Sequence, residues 1–382
     1  MRKQHFNLLL VIVALVLLMS SWLVSQKAGD GLKKGSLLFP ELKGQLAKVS
    51  GVTVKGAGDT TFVELERQVD KEGEVSWSVT NRDGYPGNFN QLKNLLVSLA
   101  DTKLQESKTK NPQNYANLGV RDISDAESEA LLLSLTFDDG LPPISLLVGK
   151  SAEKWKGQYI RFPDLQQSWL TDKHITLEKE ATAWLRRDII NISSARIQSV
   201  SYTNPKGSKV EVAKTAGEND DFLIQNIPNG RELSYEAIGN TIASAISYVK
   251  LDDVLREGVI SFKPELTYNS TFRTNNGLVV SAQTTKVDDK AYVKFSVDVD
   301  QALVKDQQAL VDPFNEADEQ SQAANMAVDN ETHETSAEDE AEKLQHRASG
   351  WVFQISDFAY GSFTKEMDGL LKAENESEKS DN

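Results

Sequence analysis

The sequence predicts an α+β protein: two tandem domains of β-β-β-α-β-β-β type, each a mainly antiparallel sheet with one long helix, after an N-terminal transmembrane helix. Three observations predict this. An apolar run near the N-terminus has the length of a membrane span. Apolar residues change from period 2 to helical spacing and back. That change happens twice, about 145 residues apart, in a chain of 382 residues.

From Asn7 to Val24 there are 18 residues without a charge. A helix rises about 1.5 Å per residue, so the run reaches roughly 27 Å, close to a hydrocarbon core. Trp22 lies near one end, where an amphipathic ring suits the interface. Arg2 and Lys3 precede the run and place the short N-terminus on the cytoplasmic side, although Lys27, Lys33 and Lys34 follow it. A cleaved signal peptide would want a shorter core and a small-x-small site, which Ser20 to Ala28 does not offer. A lipoprotein anchor would need a cysteine, and the chain has none. The expected segments are residues 1–26 for the cytoplasmic tip and anchor, then 27–36 as a spacer.

The first domain is expected at 37–180. Val49–Lys55 and Thr61–Gln68 alternate as strands around Gly56, Gly58 and Asp59. Val75, Trp77 and Val79 make a third strand, ended by Asn81, Asp83 and Gly84. Phe89, Leu92, Leu96 and Leu99 then fall at helical spacing, widened by Leu95, with Asn88 and Gln91 resembling a capping box. Asn111 and Pro112 open a loop carrying Tyr115, Leu118, Gly119 and Val120. Leu131–Phe137, Ile144–Val148 and Tyr159–Phe162 complete the set of strands.

The second domain is expected at 181–372. Ile197–Tyr202, Lys209–Ala213 and Phe222–Ile227 read as strands. Ser234 is the expected cap of a helix with Ile238, Ile242, Ile246 and Val249 on one face. Leu278–Thr284 and Tyr292–Val299 form a hairpin over Asp288 and Asp289, and Trp351–Ile355 is the last strand. The segment 306–342 contains no Lys or Arg and reads as a disordered acidic insertion. Phe363, Met367, Leu370 and Leu371 suggest a closing amphipathic helix, and 373–382 a polar tail.

Composition narrows the function. A net charge of −14 opposes nucleic-acid binding, which needs clustered Lys and Arg. The absence of cysteine removes disulfides, thiolate catalysis and iron–sulfur clusters. Of four histidines (His5, His174, His333 and His346), only His174 lies beside expected structure, and no Gly-x-Ser-x-Gly accompanies it. The carboxylate pairs Asp138–Asp139, Asp220–Asp221, Asp252–Asp253, Asp288–Asp289 and Asp298/Asp300 fall mostly in expected turns, where Asp bonds its own backbone. Phosphate-binding loops are missing, and Asn191, Asn269, Asn330 and Asn375 head chance Asn-x-Ser/Thr triplets. No catalytic residue, cofactor or metal site is expected, and no enzymatic activity. Trp77 and Trp351 are expected in the core, whereas Trp155 and Trp169 are the candidates for a ligand or partner surface. Arg186, Arg187 and Asp188 are candidates for ion pairs at the junction.

The apolar run, Leu38-Phe39-Pro40, Trp77 with Tyr85-Pro86, Tyr115 with Leu118-Gly119-Val120, Trp184-Leu185 with Ile192 and Ile197, and Trp351 with Ile355 together resemble the bacterial domain-of-unknown-function family DUF4340. The resemblance covers nearly the whole body, in two copies. It implies a bacterial inner-membrane protein with one span, its N-terminus cytoplasmic and its body periplasmic. It also implies a partner, since some members are similar to auxiliary proteins encoded with ABC-type transporters, gliding-motility systems among them. The acidic insertion departs from the family's compact pattern. The expected function is therefore a non-enzymatic extracytoplasmic accessory or scaffold held in the membrane through residues 7–24. It would sit beside other membrane proteins such as ABC-type transporter subunits. The alternative is an extracytoplasmic module that binds a glycan, lipid or peptide, which would need an apolar cleft near Trp184.

Overall fold

The computed structural model describes residues 32–71, 73–152, 156–215, 221–304 and 336–373. The expected membrane run, Trp22, Trp155, His5, His333, Asp220, residues 306–335 of the acidic insertion and 374–382 of the tail lie outside the described residues. Among the described residues no helix is long and apolar enough to cross a membrane. The chain is mixed α/β with large antiparallel sheets and few helices, and it divides into two compact units between Arg186 and Arg187.

The first unit holds a nine-stranded sheet. Its strands are β1 (Val49–Gly56), β2 (Thr60–Val69), β3 (Val75–Val79), β4 (Tyr85–Pro86), β5 (Leu104–Ser107), β6 (Leu131–Phe137), β7 (Ile144–Ser151), β8 (Gln158–Arg161) and β9 (Ser168–Thr171), in the order β4-β3-β2-β1-β6-β7-β8-β9-β5. Alternation explains β1, β2 and β6: Val52, Val54, Val63, Leu65, Leu133 and Leu135 all point to the buried face. The turn between β1 and β2 uses Gly58 and Asp59 at positive φ. A helix α1 (Leu42–Gln45) packs against α2 (Phe89–Asp101). Asn88 caps α2 by accepting from Gln91 N at 3.2 Å, and Leu92, Leu95, Leu96 and Leu99 form its buried face. Phe89 does not join that face; it is the first residue of the helix and is 58% exposed. A short helix α3 (Tyr115–Leu118) ends at Gly119, whose φ of 68° closes it in the left-handed region.

The second unit holds an eight-stranded sheet and a small ribbon. The ribbon pairs β10 (Asp188–Ile190) with β14 (Val249–Lys250). The sheet contains β11 (Ile197–Thr203), β12 (Lys209–Lys214), β13 (Phe222–Ile224), β15 (Asp253–Arg256), β16 (Tyr268–Thr274), β17 (Leu278–Val287), β18 (Lys290–Val299) and β19 (Trp351–Ile355). Their order is β13-β12-β11-β16-β17-β18-β19-β15. Each of these strands stands ten places on in the chain's strand count from the strand at the matching position of the first sheet. Only β4 lacks a matching strand in the second sheet. Asp288 and Asp289, both at positive φ, make the tight turn of the β17–β18 hairpin.

Three expectations about the second unit need correction. The helix expected to run from Ser234 to Val249 is α4 (Ile238–Ala243) with a single 3-10 turn to Ile246; Ala237 precedes it and no side chain caps it. Val249 leaves the helical face to pair with Ile190, so the expected i+11 position is a strand residue. The expected closing helix is two pieces, α6 (Asp357–Phe363) and a 3-10 turn over Met367–Leu370. The sequence also places residues 336–342 in the acidic insertion, whereas they open a helix, α5 (Ala337–Ala348), capped by Ser336.

That helix has an apolar stripe made mostly of alanine. Ala337, Ala341, Leu344 and Ala348 are buried, and α5 packs on β18. It also completes the sheet. β19 pairs with β18 only over Ala291 to Val293, and beyond that the Val297 N–H finds Gln345 Oε1 at 2.8 Å. Arg196 grips Glu340 with both terminal nitrogens, Nη1 at 2.8 Å. Leu344→Ala is therefore expected to cost about 2–3 kcal/mol. Hydrogen exchange should show it first as lost protection over 337–348 and at Val297; protection lost evenly across the second unit would contradict this attachment. α6 seats Phe363 in a chain of edge-on rings, 6.1 Å from Phe272 and 5.6 Å from Phe295.

Candidate functional site

Among the described residues, the sequence's candidate catalytic groups stand apart. His174 is exposed just beyond β9, and His346 is exposed in the last turn of α5. The aspartates serve local structure. Asp138 pairs with Arg67, and Asp139 takes a positive φ in its turn. Asp221 accepts from Asn240 Nδ2 at 3.0 Å, and Asp252 from Arg187 at 3.2 Å. Asp253 caps the Val254 N–H at 2.8 Å, and Asp300 lies 3.8 Å from Arg273. Among the described residues no three metal-ligating side chains gather. Arg187 and Asp188 make their ion pairs inside the second unit, with Asp252 and Lys250.

The described tryptophans are packing residues. Trp77, Trp184 and Trp351 are buried, and so is Trp169, which the sequence offers as a surface residue. The reason is its strand: every residue of β9 is buried, so it shows no alternation that would mark an outward face. Trp184 donates to the Glu178 carbonyl at 3.1 Å and is fully enclosed, so it is not available to line a cleft.

Among the described residues, two hollows bear on ligand binding, one in each unit. The first, about 450 Å³, lies beside Gly119 and is walled by Arg121, Glu127, Glu129 and Lys150. Its charges are matched within the wall: Lys150 meets Glu129 at 2.6 Å, and Arg121 lies 3.2 Å from Asp125 and 3.4 Å from Glu127. Such a wall offers a ligand little that is not already engaged.

The second hollow is also about 450 Å³ and is built from distant parts of the second unit. α4 contributes Ile238, Thr241 and Ile242; the segment before it contributes Ser234 and Tyr235. The stretch after α6 contributes Thr364, Lys365, Glu366 and Leu370. The chain ends of this site are tied together. Ser234 N donates to the Leu370 carbonyl at 2.9 Å, Lys372 N to that of Glu232 at 2.8 Å, and the Lys372 ammonium meets Glu232 at 2.6 Å.

Ile238, Ile242 and Leu370 make an apolar floor. Tyr235 stands at the rim, 48% exposed, with its hydroxyl 3.1 Å from Thr241 Oγ1. Tyr268 donates to Glu366 Oε1 at 2.7 Å, and that bond, helped by burial, holds the Tyr268 phenol up at about 12. Behind Tyr268 the Tyr360 ring packs edge-on at 6.3 Å, with Lys286 over its face at 4.7 Å. Burial is the main reason the Tyr360 phenol also titrates above its ordinary value. Sequence reasoning misses Tyr235 and Glu366. Ser234 is read there as a helix cap and Lys365-Glu366 as part of a helix, so nothing brings the two segments together.

A family model described as Domain of unknown function (DUF4340) matches residues 77–269, about half of the chain. No curated protein and no solved structure matches.

Proposed function

We propose a function from the premise that the chain belongs to the Domain of unknown function (DUF4340) family: it is a membrane-anchored, non-enzymatic extracytoplasmic accessory or scaffold protein that serves an ABC-type transport system. The observation that carries this reading is the 18-residue uncharged run from Asn7 to Val24 ahead of two sheet-rich units. Arg2 and Lys3 favour a cytoplasmic N-terminus and a periplasmic body at the bacterial inner membrane. The non-enzymatic part is supported by what the aspartates do, since they close turns and pair with neighbouring arginines. We read the two units as copies of one plan, because the strand order recurs position by position across the two sheets. Duplicated sheets suit a scaffold, whose work is to present surfaces.

The test is affinity purification of the full chain in mild detergent beside a version lacking residues 1–26. Recovery of ABC-type transporter subunits with the full chain, and their loss with the shortened one, is the expected result. A full chain that comes out of the membrane alone would remove the accessory role. A second reading, an extracytoplasmic ligand-binding module, is favoured by the tyrosine-rimmed hollow of the second unit.

A further inference from the structure

The geometry points to a neutral saccharide as the ligand of the hollow in the second unit, a short oligosaccharide lying against Tyr235. This deepens the ligand-binding reading and rests on it. A sugar ring has an apolar C–H face and a rim of hydroxyls that both donate and accept. The hollow offers the matching parts. Its floor of Ile238, Ile242 and Leu370 is apolar, and Tyr235 adds an aromatic face. The bond between the Tyr235 hydroxyl and Thr241 limits that ring's freedom, so little is lost in ordering it on binding. Around them stand Ser234, whose hydroxyl donates and accepts, and Thr364, whose hydroxyl donates to the Tyr360 carbonyl at 2.9 Å and keeps its accepting side, with Lys365 as donor and Glu366 as acceptor. Tyr268 holds Glu366 by one oxygen, and the carboxylate has a second to offer.

The same parts argue against other ligand classes. A phosphate or other anion would meet the Glu366 carboxylate beside a single lysine, in a chain of net charge −14. A lipid tail needs apolar walls, and here the apolar surface is confined to the floor and one ring. An extended peptide adds to a row of free backbone groups. At this rim the backbone of Ser234 and Lys372 is already engaged with Leu370 and Glu232. Polar hollows that mix both hydrogen-bonding senses with an aromatic face suit hydroxyl-rich rings best.

The experiment uses the full chain in lipid nanodiscs, free of sugar-based detergent. Maltotriose, cellotriose and chitotriose are the probes, with trialanine as the peptide comparison, read by saturation-transfer difference NMR. At least one trisaccharide is expected to receive saturation, strongest on one ring face. Tyr235→Ala should weaken its binding about tenfold, while Tyr235→Phe, which keeps the ring, retains most of it. Glu366→Gln should weaken it severalfold. An unchanged melting curve for Tyr235→Ala establishes that the loss is local. Equal binding by Tyr235→Ala, or no transfer to any trisaccharide, overturns the inference. Trialanine binding that depends on Tyr235 also overturns it but leaves the ligand-binding reading standing. Silence from both probe classes removes that reading as well, and neither result touches the accessory role.

Discussion

Arg161→Met is expected to destabilise the chain by about 3–5 kcal/mol in urea denaturation. Arg161 ends β8 with its side chain 4% exposed, and it organises the loop that carries Tyr115. Its Nε donates to the Val120 carbonyl at 3.0 Å; its Nη1 reaches the carbonyls of Pro163 at 3.1 Å, Leu165 at 3.3 Å and Phe162 at 3.4 Å. Nη2 meets Asp122 Oδ1, and the guanidinium lies 4.6 Å from the centre of the Tyr115 ring. Methionine keeps much of the side chain's bulk but none of its five donors. The cost comes from the carbonyls of Val120, Pro163 and Leu165, since that of Phe162 keeps the Leu165 N–H at 3.0 Å and Asp122, 60% exposed, stays solvated. Asp122→Asn should therefore cost less than about 1 kcal/mol. Arg161→Lys is expected to behave much more like Arg161→Met than like wild type, since one ammonium cannot span acceptors arranged around a planar fork. Hydrogen exchange should locate the damage in residues 115–125 and 158–166. A lysine variant with full stability would refute the role of the fork.

That arginine shows where sequence reasoning runs out. The long alternating strands β1, β2, β6, β17 and β18 are legible because one face is buried and a period of 2 follows; β16 alternates as well but is missed, because two of its buried positions are the polar Ser270 and Thr274. Their turns are legible too, since Gly58, Asp288 and Asp289 mark positions of positive φ. The short strands β5, β9 and β15 have four residues each, too few to show a period. β9 is buried on both faces and has none to show. The acidic stretch misleads for another reason. Its composition averages over a long window, while α5 needs only Ala337, Ala341, Leu344 and Ala348 at helical spacing to dock. Alanine reads as neutral in composition, yet it allows a helix to lie close to a strand. The hollow of the second unit is illegible in principle, since Tyr235 and Glu366 come together only through the pairing of residues 232–234 with 370–372.

Gly239→Ala is the substitution expected to harm the second unit most for its size, at about 3 kcal/mol. Helix propensity alone would make alanine better by about 1 kcal/mol. Space decides against it. A Cβ on Gly239 would lie 1.9 Å from the Phe222 carbonyl oxygen and 2.6 Å from its carbon. Both are backbone atoms of β13, so no side chain can turn aside; α4 must lift from the sheet edge. Lifting it strains two bonds from the next residue, Asn240, which accepts from Phe222 N at 2.9 Å and donates to Asp221 at 3.0 Å. It also moves Ile238, Thr241 and Ile242, the α4 wall of the hollow. Gly361 provides the opposite case. It lies within α6, and a Cβ there meets nothing within 4 Å. Gly361→Ala should thus stabilise by about 0.5–1 kcal/mol. The pair tests one idea with two signs: if both substitutions stabilise, α4 does not lie against β13 as closely as its hydrogen bonds require.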